Sequence, residues 1–352
     1  VIVSADQMVS VRTRDGVQAA QFTGAQLTSL RWGWEGGQTT KCALTVAADD
    51  VAGLDITPWQ HWVDVWTPEV DYPVWSGPIQ TAAKGRDTAA ITAADVSVFG
   101  RRTRCPVTKD WDNTPPTKIA AELWSAMLAH HGITVDPVVL TGVDSMRVAD
   151  GHGDHVDFSV SADEAMMDSV FDRLSQVGLK WSVIGGVPFL GVMPRQPVTT
   201  LGERDFIDSG LQLVRDGATT FNDVVLRATD TIARGTVPLG GHNLQNLIHI
   251  DNMFGVSNAQ TGLRTYLAYA AHIRDEVRVP AGARLSPDAP VLLEQLVPTT
   301  RIVVDAFDTA TLTTVGSMDV TLAAGNCDVA VSLTTARDDL PELAKISMQD
   351  AS

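Results

Sequence analysis

From residue 1 to about 105 the apolar positions come in short runs separated by turn residues, the pattern of closely spaced strands. Met8-Val9-Ser10-Val11 leads to the turn Arg14-Asp15-Gly16, and the runs Leu27–Trp34 and Cys42–Ala47 flank Gly36-Gly37, which predicts a hairpin. Trp62-Val63-Asp64-Val65-Trp66 is apolar on both parities except at Asp64, so this strand is expected to be covered on both faces. Val74-Trp75 runs into Ser76-Gly77-Pro78, a bulge or bend. After the turn Lys84-Gly85-Arg86-Asp87, a second run, Ala89–Ala94, ends at Asp95 and feeds a short helical segment closing on Arg101-Arg102. Strands spaced this closely, with Gly and Pro punctuation, point to a barrel or sandwich.

The period changes after Arg104. Thr114-Pro115-Pro116 opens a helix whose apolar stripe is Ile119, Leu123, Met127 and Leu128, and Gly132 stops it. A second helix is expected from Ser161, with Glu164 completing a capping box and Met167, Val170, Phe171 and Leu174 on the buried face. Leu179–Ile184, Gly185-Gly186 and Val187–Met193 then form a hairpin signal. Helices plus hairpins make this stretch α+β, and Pro194-Arg195-Gln196-Pro197 looks like its boundary.

Beyond that boundary strands return at Leu211–Val214 and Asn222–Ala228. Residues 230–256 show no clear period and contain Gly240-Gly241, which reads as a long excursion or loop. Gln260–Arg274 reads as a helix, with Leu263, Leu267, Ala270 and Ala271 on one side. Strands follow at Val277–Pro280, Arg301–Val304 and Val329–Leu333, and residues 337–352 form a polar tail. The expected fold class is therefore mainly β with an α+β insert: two β-barrel-like domains, 1–105 and 198–352, flanking a mixed helix and hairpin domain, 106–197.

Charge narrows the partners. With 26 Lys and Arg against 42 Asp and Glu, the formal charge of −16 is unsuited to stable binding of nucleic acid through its phosphates. An acidic wall would let DNA pass without sticking. No apolar run approaches the ~20 residues that span a bilayer. The first residues, which lack a basic segment and a long apolar core, do not read as a signal peptide. Cys42, Cys105 and Cys327 are three and far apart, neither a disulfide framework nor a zinc spacing.

Few residues offer chemistry. The metal candidate is Gly151-His152-Gly153-Asp154-His155, but its spacing matches no zinc-protease helix and its glycines mark a polar loop. His130-His131 sit at a helix end, where imidazolium complements the macrodipole. There is no nucleophile elbow, phosphate loop or dinucleotide fingerprint. Asp49-Asp50 and Asp338-Asp339 read as solvated turns. The expectation is no enzyme, no cofactor and no metal. Six tryptophans, Trp32, Trp34, Trp59, Trp62, Trp66 and Trp75, crowd the first portion, as a core, a subunit interface or a sugar platform would require.

The order of features from Val74 to Arg102 (a W-x-G strand, a basic turn, an A-x-D strand end and an arginine pair) resembles the hub proteins of long non-contractile phage tails. The likeness is to minor tail proteins of siphoviruses infecting actinobacteria, the structural module that precedes a lysin in tail-associated lysins. The helix and hairpin of the middle segment, the Asn222-Asp223-Val224 strand and the closing Leu296-Val297-Pro298 stretch are similar to that family too, except that Thr299 stands where the family often has glycine. The resemblance implies a homotrimer at the tail tip that closes or lines the DNA channel. Its implied partners are the distal tail protein, the tape measure protein and other minor tail or adhesion proteins, with phage DNA passing transiently.

Trp75, Gly77, Asp95, Arg101 and Arg102 are then the candidates for subunit contacts, the arginine fork suiting interface carboxylates. Equally, Asp95 caps a helix and the arginines are solvated. The alternatives are a distal tail ring of six copies, a cell-wall hydrolase using the His152–His155 loop or an acidic pair, and a glycan-binding module using the tryptophans.

Overall fold

In the computed structural model, residues 2–140, 156–176, 179–207, 210–218, 220–228, 231–250 and 256–336 are described. The chain divides into two compact units, one of residues 1–210, 279–304 and 313–334, the other of residues 211–278, 305–312 and 335–352.

The first unit begins with seven strands: β1 (Met8–Thr13), β2 (Gln18–Thr23), β3 (Leu27–Glu35), β4 (Lys41–Ala47), β5 (His61–Trp66), β6 (Trp75–Lys84) and β7 (Thr88–Ala94). The expected hairpins form. β3 and β4 pair antiparallel around Gly36-Gly37, β6 and β7 around the Lys84–Asp87 turn, and a 3-10 turn, Val96–Arg102, follows. β5 is buried along nearly its whole length, as its two-parity pattern predicts. Its one charge, Asp64, accepts from the Arg12 guanidinium at 2.5 Å and the Ser76 hydroxyl at 2.6 Å, which compensates its burial.

The middle segment contains β8 (Lys109–Thr114), α1 (Pro116–His130), β9 (Val138–Val139), β10 (Val156–Val160), α2 (Met167–Gln176), β11 (Trp181–Ile184) and β12 (Val187–Leu190). Helix α1 ends as the sequence indicates. Gly132 takes φ +64°, its N–H donates to Ala129 O, and the Ile133 N–H reaches back to Leu128 O, a Schellman closure. Ile119, Leu123, Trp124, Met127 and Leu128 meet Met167, Val170, Phe171 and Leu174 in one core, which also takes in Trp62, Val96 and Phe99. The apolar side of this core therefore grips the 3-10 turn that carries Arg101 and Arg102.

Helix α2 starts at Met167, not at the expected Ser161. Residues 163–167 pair instead with 103–105: Asp163 N–H donates to Cys105 O, Cys105 N–H to Ala165 O and Met167 N–H to Thr103 O. Those bridges satisfy the backbone before a helical turn can, and Asp163 sits at φ +63°, outside any helix.

The remaining strands are β13 (Thr200–Gly202), β14 (Phe206–Ile207), β15 (Gln212–Asp216), β16 (Asp223–Ala228), β17 (Ile232–Thr236) and β18 (Gln245–Ile250). After α3 (Val256–Ala270) come β19 (Arg274–Arg278), β20 (Ala283–Leu285), β21 (Arg301–Ala306), β22 (Thr309–Ala323) and β23 (Asn326–Thr335). The large sheet has 13 strands in the order β14-β20-β23-β22-β3-β4-β7-β6-β5-β1-β2, with β21 also pairing β22 and β13 pairing β21. The fold is mostly β with large antiparallel sheets, as expected, but no closed barrel occurs among the described residues. The antiparallel β22–β3 pair couples the early and late strands into one open sheet. Gly33 makes that approach possible, since a Cβ there would lie 2.2 Å from Met318 O.

In the second unit, β17-β16-β18 form a small sheet against α3, with Val224, Leu226, Ala233 and Ile248 packed on Leu263, Tyr266 and Leu267. Residues 230–256 are therefore not one unstructured excursion. The period was hidden because α3 lies so close that Gly235 and Ala233 occupy the inner face; a Cβ on Gly235 would meet Leu267 at 2.6 Å. The helix also stops at Ala270, short of the expected Arg274, because Arg274–Arg278 pairs with β15 and Asp275 binds Arg215 through both carboxylate oxygens.

Thr299, at the position where the resembled family often has glycine, keeps a left-handed backbone, φ +75°. Its N–H donates to Val315 O and its hydroxyl accepts the Met193 N–H at 2.9 Å. A β-branched residue held there costs about 1–2 kcal/mol, and the hydroxyl bond returns about 1 kcal/mol. Thr299→Gly should thus lie within about 1 kcal/mol of the parent in urea unfolding, while Thr299→Ala, still strained but lacking the bond, should lose about 1 kcal/mol.

Candidate functional site

The five sequence-derived candidates cluster at the end of the β6–β7 hairpin, in two different environments. Trp75, Gly77 and Asp95 lie inside the protomer, and Arg101 and Arg102 lie on its surface. The Trp75 indole N–H donates to the Thr40 hydroxyl at 3.1 Å, and that hydroxyl donates to Asp95 Oδ2 at 2.6 Å. Asp95 Oδ2 also accepts the Thr40 N–H at 2.7 Å, while Oδ1 accepts the Ser97 N–H at 2.8 Å and so caps the 3-10 turn. Burial is the largest influence on this carboxyl and raises its pKa above the ordinary range, against the hydrogen bonds from Ser97 and Thr40. Gly77 lets β6 pass the end of β7, where a Cβ would stand 2.0 Å from Ala94 O. These three residues shape the turn; its surface is made by the arginines.

Arg101 reaches Asp168 at 3.9 Å with both side chains well exposed, a weak contact. Arg102 faces the other way, over the Trp59 ring at 5.8 Å, and joins a cleft of about 480 Å³. Its walls are Trp59, Trp62, Phe99, His131 and Ile133, with Arg14 and Arg102 supplying the charge. The rings brace one another: Phe99 lies 5.8 Å from Trp59 and 6.3 Å from Trp62, and stacks on His131 at 4.4 Å. The Thr103 hydroxyl donates to Phe99 O, so it accepts from His131 Nε2–H at 2.6 Å, which sets the tautomer. Burial, then His130 and Arg14, lower the His131 pKa and favour the neutral ring. Trp59 is held at φ +68°, a sparsely populated conformation for a bulky residue.

Trp32, Trp34, Trp62 and Trp75 are buried, with the Trp32 N–H on Gln7 and the Trp34 N–H on Val74 O, whereas Trp59 is 38% exposed. The tryptophan cluster is mainly core, and only Trp59 offers much ring to solvent. The His152–His155 loop lies outside the described residues. Cys42 and Cys105 are buried, and burial raises the Cys42 thiol beyond ordinary titration. Among the described residues, no group of three or more His, Cys, Asp or Glu is placed to hold a metal. No described helix is long and apolar enough to cross a membrane. The cleft itself was not visible in the sequence: Arg14, Trp59, Phe99 and His131 come from four separate segments, and only the arginine pair carried a local signal.

No protein-family description and no curated protein sequence matches the chain. Solved structures do. The tail protein from Neisseria meningitidis MC58 superposes with a TM-score of 0.58 at 14% identity, over 96% of this chain and 99% of that one. The 43 kDa tail protein of prophage MuSo2 from Shewanella oneidensis superposes with a TM-score of 0.56 at 11% identity, over 93% and 98%. A chain of the Francisella PdpA–VgrG complex gives 0.50 at 8% identity, over 95% of this chain and 58% of that one. At such identities the likeness is one of fold, and over more than nine tenths of its length this chain is matched to the fold seen in those two tail proteins.

Proposed function

We propose that the chain is a structural subunit of a phage tail, forming the homotrimeric hub at the tip of a long non-contractile tail in a phage of actinobacteria. The observation that carries the reading is the likeness to a tail protein over nearly the full length of both chains. The order of residues from Trp75 to Arg102 supports it independently. In this reading the segments 1–105 and 198–352 build the ring, and 106–197 buttresses it. Two ring-forming segments in each of three copies match a sixfold tube.

The work is mechanical. The hub lines or closes the channel, anchors the tape measure and adhesion proteins, meets the distal tail protein above, and opens for DNA. A net charge of −16 suits a channel wall that must not retain phosphates. Arg101 and Arg102 are the candidates for ring contacts, while Trp75, Gly77 and Asp95 hold the turn that presents them.

Native mass spectrometry followed by cryo-electron microscopy of any ring tests this. Three copies around a channel are expected. Six copies would move the protein to the distal tail ring, and a monomer that stays monomeric when mixed with tail-tip partners would overturn the hub reading.

A further inference from the structure

The cleft beside the Asp95 turn has properties that core packing does not require. It is concave, within the size range of ligand sites, and combines ring surfaces with two cations. Arg12, Arg31, Arg104, Arg215 and Arg278 each hold a carboxylate at 3.3 Å or less. Arg14 and Arg102, like the exposed Arg86 and Arg204, have no carboxylate within ion-pair distance among the described residues, but Arg14 and Arg102 sit together at one aromatic cleft. Arg14 instead lies against Gly132, where a Cβ would come 2.0 Å from its guanidinium, and so rests at the carbonyl end of α1. Arg102 is laid over Trp59, whose strained backbone holds that ring at the cleft mouth. Both guanidiniums are therefore positioned without being neutralised.

We propose that this cleft is a socket for an acidic peptide segment of a different protein, its carboxylates held by Arg14 and Arg102 and an adjacent apolar side chain seated on Trp59 and Phe99. Charge complementarity identifies the occupant. Planar guanidiniums match carboxylates bidentately, and the aromatic floor takes an apolar neighbour. Two cations in a chain of charge −16 are too few to hold a nucleic-acid backbone. A sugar would need an open ring platform, and Arg102 already covers one face of Trp59. The proposal does not depend on the hub reading; it assigns Arg102 to a partner's carboxylate in place of a contact between copies, and leaves Arg101 as the ring-contact candidate.

The test is fluorescence anisotropy on the full chain with a short fluorescein-labelled peptide of alternating glutamate and leucine. Its glutamine–leucine counterpart and labelled polygalacturonate serve as the other probes. The glutamate peptide is expected to bind at least about tenfold more tightly than the glutamine peptide, to weaken with salt, and to lose about tenfold or more with Arg14→Gln plus Arg102→Gln. Both arginines are exposed, so the double variant should fold, and unchanged circular dichroism checks this. Trp59→Ala should weaken the same peptide.

Absence of peptide binding, equal binding of the two peptides, or binding that survives the double substitution would overturn the proposal. So would tighter arginine-dependent binding of polygalacturonate, which would make the occupant a glycan. Self-association of the chain abolished by the same substitutions would make it a second copy.

Discussion

Gly77→Ala is expected to cost about 3 kcal/mol or more in urea unfolding, or to leave the chain insoluble. The reason is contact. The added Cβ would lie 2.0 Å from Ala94 O, 2.7 Å from Ala94 C and 2.8 Å from Asp95 Cα, backbone atoms at the end of a strand paired on both sides and of the cap that follows it. A flexible side chain could turn away; this backbone can yield only by parting β6 from β7 and pulling Asp95 off Thr40. Gly16→Ala is the control. Gly16 has φ +87° and nothing within 4 Å, so it should lose only about 1 kcal/mol from strain. A Gly77→Ala protein as stable as that control would show that the two strands do not approach as described.

Asp95→Ala should cost about 3 kcal/mol, because it strands the Thr40 N–H, the Thr40 hydroxyl and the Ser97 N–H in a buried site. Asp95→Asn should fall between, since its amide must present NH₂ either to the Thr40 donors or to the Ser97 N–H. The sign of the pH dependence follows from burial, which raises the folded-state pKa of Asp95 above its unfolded value. The folded chain then binds the proton more tightly than the unfolded one, so the linked stabilisation is complete below the unfolded pKa, about 4. It is lost as pH rises through the raised folded value. The advantage of the parent over Asp95→Asn should accordingly shrink from acid toward neutral pH, as read from paired urea titrations. An advantage that instead grew as pH rose through about 4 would mean that the donors hold the folded carboxylate ionised throughout.

Both substitutions act on the segment whose sequence was most informative. The strand, turn, strand and capped 3-10 turn from Trp75 to Arg102 form where the apolar runs and turn residues place them. The same is true of α1, stopped by Gly132, and of the hairpins at Gly36-Gly37 and Gly185-Gly186. In each case the determining interactions are local. A proline enters a helix, a left-handed glycine ends one, and a short polar turn reverses two apolar runs.

Other elements carried weak or misleading local signals. The first half of β22, the longest strand, turns Thr311 and Thr313 inward, so no apolar alternation marked it. Thr313 is accommodated because its hydroxyl donates to Ile302 O. The capping box at Ser161 is a sound helix start on its own, but backbone pairing with Thr103–Cys105 takes its place.

Sequence alone determined the β-rich class, the hairpin that carries the arginine pair and the acidic balance, because these rest on composition and on neighbours in the chain. Tertiary structure decided that Trp75, Gly77 and Asp95 are interior, that the sheet is open, and that Arg14, Trp59, Phe99, Arg102 and His131 meet in one cleft. Those outcomes depend on burial and on contacts between residues far apart in the chain. A pattern of single positions does not contain them, since the same residue is core or surface according to what the rest of the fold lays against it.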